Sequence, residues 1–218
     1  MFNACKLASF QRYFASRFKW PVILLLPCVL AGLSAFATGD WHFYRLLGSY
    51  FLSVALIVPF RLADDLADRK QDQTRYPDRE LCRTEDIQGY TNVLVMLFSI
   101  AIVAVLSTRG SRALVLLLAA TLLIAFWYKV RELSPTSVIC NYHLVLTKYA
   151  AFELILIDPM SWRIPLETWW SSLTAYLWLL LWEVVHDAKV RDSVAARRLA
   201  VIEFSSWLAW TAWLVLRP

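Results

Sequence analysis

Apolar residues in this chain come in long unbroken blocks, not in the alternation of a half-buried strand or the stripe of a surface helix. The blocks cover about 20–38, 43–61, 91–107, 112–128, 138–157, 168–186 and 199–216. Each approaches the roughly 20 apolar residues needed to cross a hydrocarbon core about 30 Å thick. Inside lipid the backbone must satisfy its own hydrogen bonds within the segment, so the blocks are expected to be helices. The pattern predicts an all-α integral membrane bundle of about seven transmembrane helices, in a single domain over 1–218 led by a basic segment over 1–19. Trp20, Trp41, Trp127, Trp162, Trp169 and Trp207 lie near block ends, where interfacial aromatics belong. The polar breaks are short except for 62–90, which is long and strongly charged.

Composition agrees with this reading. Hydrophobic types make up 59% of the 218 residues and charged types 18%, against about 25% charged in a soluble domain. The net charge of +5 is informative by location. Of the 22 basic residues, 16 precede the first block or follow the second, fourth and sixth. Basic residues accumulate on the cytoplasmic side, which predicts a cytoplasmic N-terminus, an outer C-terminus and, in a bacterium, the inner membrane. Membrane topology accounts for the positive charge, so no nucleic-acid partner is expected. A secretory signal is the competing reading of the N-terminus, with Ala35-Phe36-Ala37 as its small-residue cleavage site, but 19 residues before the apolar run is long for one. The four cysteines have no metal-site spacing and read as buried inert thiols.

The chemistry concentrates after the second block, where the chain reads RLADDLADRKQDQTRYPDRELCR from Arg61. Asp64, Asp68 and Asp72 are spaced i, i+4, i+8, which on a helix places three carboxylates on one face, with Asp65 beside them. Like charges at this spacing repel, so the row calls for a neutralising cation. Mg²⁺ suits it, being held commonly by one or two carboxylates together with substrate phosphates. Arg75, Arg79 and Arg83 then offer phosphate-directed forks. The bland alternative is a solvated loop whose Asp and Arg residues pair with one another. A second acidic pair, Glu183 and Asp187, follows the sixth block, near His186, Lys189 and Arg191. Within the fifth block Lys148 and Glu153 are polar at membrane depth, beside Tyr142 and His143. They read as orienting or phosphate-contacting groups, or more plainly as a Lys–Glu pair or a snorkelling Lys.

These motifs resemble the UbiA superfamily of intramembrane prenyltransferases. Asp64-Asp65-Leu66-Ala67-Asp68-Arg69-Lys70-Gln71-Asp72 is similar to that family's first motif, NDxxDxxxD, with Asp in place of Asn. Pro77-Asp78-Arg79 is similar to its following Pro-x-Arg segment, with Glu80 where Pro is usual. Glu183 and Asp187 stand for its second motif, DxxxD, and Tyr128-Lys129 for an aromatic-basic element after the fourth helix. The chain is shorter than a typical member. The resemblance implies an active site at the cytosolic face, with Mg²⁺ as cofactor, held by Asp64, Asp65, Asp68 and Asp72 on one side and by Glu183 and Asp187 on the other. It implies a prenyl diphosphate substrate, ionised with help from Arg79, Arg83, Tyr128, Lys129 and Lys189, and a lipophilic or aromatic acceptor. Asp68, Asp72, Asp187 and Lys148 are the expected catalytic residues. A terpene cyclase of the same superfamily, a transporter and a non-catalytic membrane protein are the competing functions. A homo-oligomer in the bilayer is compatible with the short chain.

Overall fold

A computed structural model describes residues 4–18, 24–133, 138–157, 165–186 and 188–216, and everything regular among them is helical. The elements are α1 (Ala4–Arg17), α2 (Leu26–Thr38), α3 (Phe43–Arg75), α4 (Glu80–Arg83), α5 (Ile87–Leu133), α6 (Val138–Ile157), α7 (Leu166–His186), α8 (Ala188–Arg191) and α9 (Val194–Leu216). Among the described residues, three helices are long and apolar enough to cross a membrane: α3, α5 and α9. α2 is apolar but only 13 residues long. The charged stretch after the second block is largely helix. α3 runs through the whole acidic row and stops at Arg75, just before Pro77.

α5 is 47 residues long, roughly 70 Å if straight, or more than twice the thickness of a bilayer core. It is not straight. Gly110 has φ 79° and ψ −171°, a conformation essentially restricted to glycine, and the chain turns back there. Side-chain contacts demonstrate the reversal. Tyr90 packs on Tyr13, which hydrogen-bonds Asp65 near the far end of α3. Arg109 donates to Ser49 near the start of α3. Tyr128 then bonds Asp64, so the chain has returned to the first end. The single break at Gly110 is the boundary expected between the third and fourth apolar blocks.

The helices pack around one apolar core in which Leu30, Leu56, Phe60, Leu117, Phe152 and Leu180 are fully buried. A smaller cluster holds α1 to the end of α3 and the start of α5, through Phe10, Tyr13, Phe18, Leu62, Leu81 and Tyr90. The outer surface is unlike that of a soluble bundle. Val103, Leu122 and Phe126 on α5, and Val201, Ile202 and Trp213 on α9, are exposed. Apolar surface on this scale is compatible with a belt that faces lipid. Cys28 and Cys140 are exposed on it, not buried as their apolar surroundings suggested, because outside the bundle lipid is as apolar as the core. Cys82, outside the apolar blocks, is half-buried, and burial pushes its thiol pKa up.

Candidate functional site

One end of the bundle gathers the end of α3, α4, the two ends of α5, the start of α6 and the end of α7. α1 lies across this end. Its aromatic positions 10, 13 and 14 follow a helical period and sit in the smaller cluster, together with Phe18 just past its end. Its polar positions clamp α4: Arg12 donates from Nε to Glu80 Oε2 at 3.1 Å, and Ser9 donates to Glu80 Oε1 at 2.8 Å. The Arg12 hydrogen bonds hold the Glu80 carboxyl below its ordinary pKa. What the sequence offered as a basic leader is thus an amphipathic helix docked on the site.

Behind α1 opens a cavity of about 440 Å³. Asp64, Asp65, Asp68, Asp72, Arg79, Tyr128, Lys148 and Glu183, all singled out in the sequence, line it. Arg17, Arg61, Tyr76, Arg131, Asn141, Tyr142, Tyr149 and Trp182 line it as well. The wall therefore carries five carboxylates and five cationic side chains, which balance formally. Aromatic and aliphatic groups, including Tyr142, Val145, Leu146, Tyr149 and Trp182, complete it toward α6 and α7.

The acidic row is fully engaged with cations. Asp64 accepts from Lys148 Nζ and from the Tyr128 hydroxyl. Asp65 accepts from Arg17, with Nε at 2.8 Å from Oδ2, and from the Tyr13 hydroxyl, also at 2.8 Å. Asp68 pairs with Arg131 at 2.7 Å, and Asp72 with Arg79. Lys148 is buried in its pair with Asp64, so it neither snorkels nor pairs with Glu153. Glu153 instead accepts from Ser171 at 2.7 Å, deep between α6 and α7.

Lys129 and Arg83 are not among the residues lining the cavity; Arg83 is exposed on α4. Asp187 and the side chain of Lys189 lie outside the described residues. Sequence reasoning missed Arg17, Arg61, Arg131 and Asn141. Arg61 is three residues before Asp64 and Arg131 three after Tyr128, so helical spacing from known members of the site would have found both. Asn141 is placed by accepting from Trp127 at 3.1 Å and Arg131 at 3.2 Å. Arg17 comes from a separate helix and had no local signal.

The donor chemistry suits a hard divalent cation. Asp64, Asp68 and Asp72 present carboxylate oxygens along roughly 12 Å of one helix face. Among the described residues no three Asp, Glu, His or Cys side chains converge on a single metal position. The residues therefore fit Mg²⁺ only in its open mode, in which one or two carboxylates bind and substrate phosphates complete the shell. Chemically, the cavity can take a polyanion whose phosphates compete with the carboxylates for Arg and Lys, beside a wall that includes Tyr142, Val145, Leu146, Tyr149 and Trp182. Comparison of the chain with protein-family models, with curated proteins and with solved structures finds no match in any of the three.

Proposed function

We propose that this protein transfers a prenyl group from an allylic prenyl diphosphate to a lipophilic or aromatic acceptor, within the membrane. The observation that carries the reading is the cavity itself: an acidic row, five cations and an apolar aromatic wall meet in one chamber of about 440 Å³. Asp68 and Asp72 would hold Mg²⁺ on one side and Glu183, with Asp187, on the other. Mg²⁺, when bound, supplies positive charge against the departing diphosphate. The chain's own groups do the rest. Lys148, Arg131 and Arg79 give up their carboxylates and take phosphate oxygens, stabilising negative charge as it develops on the leaving group. Tyr142, Tyr149 and Trp182 face the hydrocarbon, and aromatic faces favour an allylic cation. Tyr128 holds Asp64 in place by its hydroxyl.

The same reading includes seven crossings in a UbiA-like arrangement, with the cavity at the cytoplasmic face of a bacterial inner membrane. Support for seven comes from the reversal at Gly110, which makes two rods of α5, and from α6 and α7, at 20 and 21 residues. Support for the orientation comes from the bundle. Arg17, Arg61, Arg79 and Arg131 meet at one end, while Arg45, paired with Asp40 at 3.1 Å, and Arg109 lie at the other. The test is mass spectrometry of membranes holding the protein, incubated with Mg²⁺ and geranyl, farnesyl or geranylgeranyl diphosphate, with and without an aromatic acceptor. A prenylated acceptor that requires both protein and Mg²⁺ is the expected product. Consumption of none of the three diphosphates rejects the reading.

A further inference from the structure

The four carboxylates of the acidic row take up four of the five cationic side chains of the cavity: Lys148, Arg17, Arg131 and Arg79. The fifth is Arg61, one turn before Asp64 and Asp65 on α3. Among the described residues its guanidinium has no hydrogen bond and no ion pair. Nε is enclosed by protein, but Nη1 and Nη2 keep open surface in the cavity that Arg61 lines. The Tyr149 hydroxyl is similarly placed. It has no hydrogen-bond partner among the described residues, is not enclosed, and belongs to a residue lining the same cavity. The two side chains lie within electrostatic reach of each other. Aromatic packing holds α3 and α6 together at this level. The fully buried Phe152 ring meets Phe60, next to Arg61 in the chain, with centroids 5.0 Å apart, and Tyr149 at 5.4 Å.

A guanidinium without a counter-ion at the end of an apolar span is costly, and such a group is a functional candidate by default. Asp65 and Asp64 act on Arg61, but each is offset by its own cation, Arg17 and Lys148, and Glu183 acts on it less. What is vacant here is donor capacity, two guanidinium nitrogens and a hydroxyl. The complementary ligand brings acceptors and negative charge. A phosphate group presents three terminal oxygens, enough for both nitrogens and the hydroxyl. A carboxylate has only two, which the guanidinium fork takes up. Lys148, Arg131 and Arg79 must each leave a carboxylate before they can take a phosphate oxygen; Arg61 leaves nothing.

We propose that Arg61 and the Tyr149 hydroxyl form a metal-independent subsite for a phosphate group, one turn inside the acidic row, with a lipid phosphate ester as its ligand. In the proposed transfer reaction this is the point at which the diphosphate docks before Mg²⁺. The inference rests on that reading only for the identity of the lipid, and its test contains neither Mg²⁺ nor acceptor.

Full-length protein in nanodiscs, with EDTA throughout, is titrated with farnesyl phosphate, farnesol and inorganic phosphate, followed by tryptophan fluorescence. Farnesyl phosphate is expected to bind saturably and about tenfold tighter than farnesol. Inorganic phosphate binding as tightly as the ester would keep the subsite and assign it to free phosphate. Arg61→Gln should weaken farnesyl phosphate binding about tenfold and Tyr149→Phe should weaken it less, with farnesol unchanged in both. Equal binding of farnesyl phosphate and farnesol by the wild type, or unchanged affinity for the ester in either variant, overturns the subsite. Prenyl transfer that fails while this binding persists rejects the reaction alone, and transfer that persists without this binding rejects the subsite alone. Phenylglyoxal, which modifies arginine, gives a measurement on the wild type. Arg61 is expected to be modified in EDTA and protected by farnesyl phosphate but not by farnesol, as located by tandem mass spectrometry. An unmodified Arg61, or one modified equally with and without the ester, overturns the proposal.

Discussion

The residues of the acidic row are held by ion pairs in which neither partner can be removed alone without cost. Lys148 is the clearest case, since its ammonium is buried against Asp64. Lys148→Met leaves a carboxylate largely desolvated, and breaking such a pair typically costs about 3–5 kcal/mol. The double substitution with Asp64→Asn should recover most of that loss, as read by thermal unfolding in detergent. Catalysis separates from stability one turn further on. Asp68 side chains are 40% exposed and Asp72 side chains 14%, each facing one arginine. Asp68→Asn and Asp72→Asn should each lower prenyl-transfer turnover by about 100-fold, or about 2.7 kcal/mol of barrier. Turnover is to be normalised to folded protein across a Mg²⁺ titration. Wild-type turnover in both variants would leave the row a purely structural ion-pair ladder.

Elements carry two further consequences. Gly110 has open space around the position of a Cβ, so any penalty for a side chain there is conformational, not steric. Gly110→Ala should destabilise the protein by about 1–3 kcal/mol, measured by unfolding midpoint. An unchanged midpoint would mean that the turn relaxes into another conformation. The clamp of α1 on α4 should depend on pH. The Glu80 carboxyl is held below its ordinary pKa, chiefly by the Arg12 hydrogen bonds. Its contribution is therefore present above the unfolded-state pKa of about 4.3 and is lost as pH falls through the lower folded value. Glu80→Gln should accordingly lower the unfolding temperature at neutral pH and converge on the wild type in acid. A constant difference across that range would assign the effect to packing. A helix could be read from the aromatic residues at 10, 13 and 14, although from sequence this stretch is taken only as a basic segment. Its docking on the site could not, because the partners, Glu80, Asp65 and Tyr90, are 48 to 81 residues away in the chain.

For the whole molecule the governing question is orientation. With all native cysteines replaced, a cysteine at Gln73 or at Ser193 should resist an impermeant thiol reagent in intact cells, while one at Ser111, beside the Gly110 turn, should react. Reaction at Gln73 or Ser193 from outside would invert or break the topology. The proposed cytoplasmic cavity would fall with it.

Long apolar blocks, short polar breaks and uneven basic residues are local properties, and they sufficed for an all-helical membrane protein with an acidic row on one helix face. Helix formation in lipid follows from backbone hydrogen bonding within a segment, so no tertiary knowledge was needed. Pairing is different. Whether Asp65 meets Arg17, whether Lys148 reaches Asp64 or Glu153, and whether Glu203 lies beside His143 depend on how separate helices register against one another. That register is set by the packing of residues such as Phe60, Leu117 and Phe152, which share one apolar character in sequence and acquire distinct neighbours only in the folded bundle.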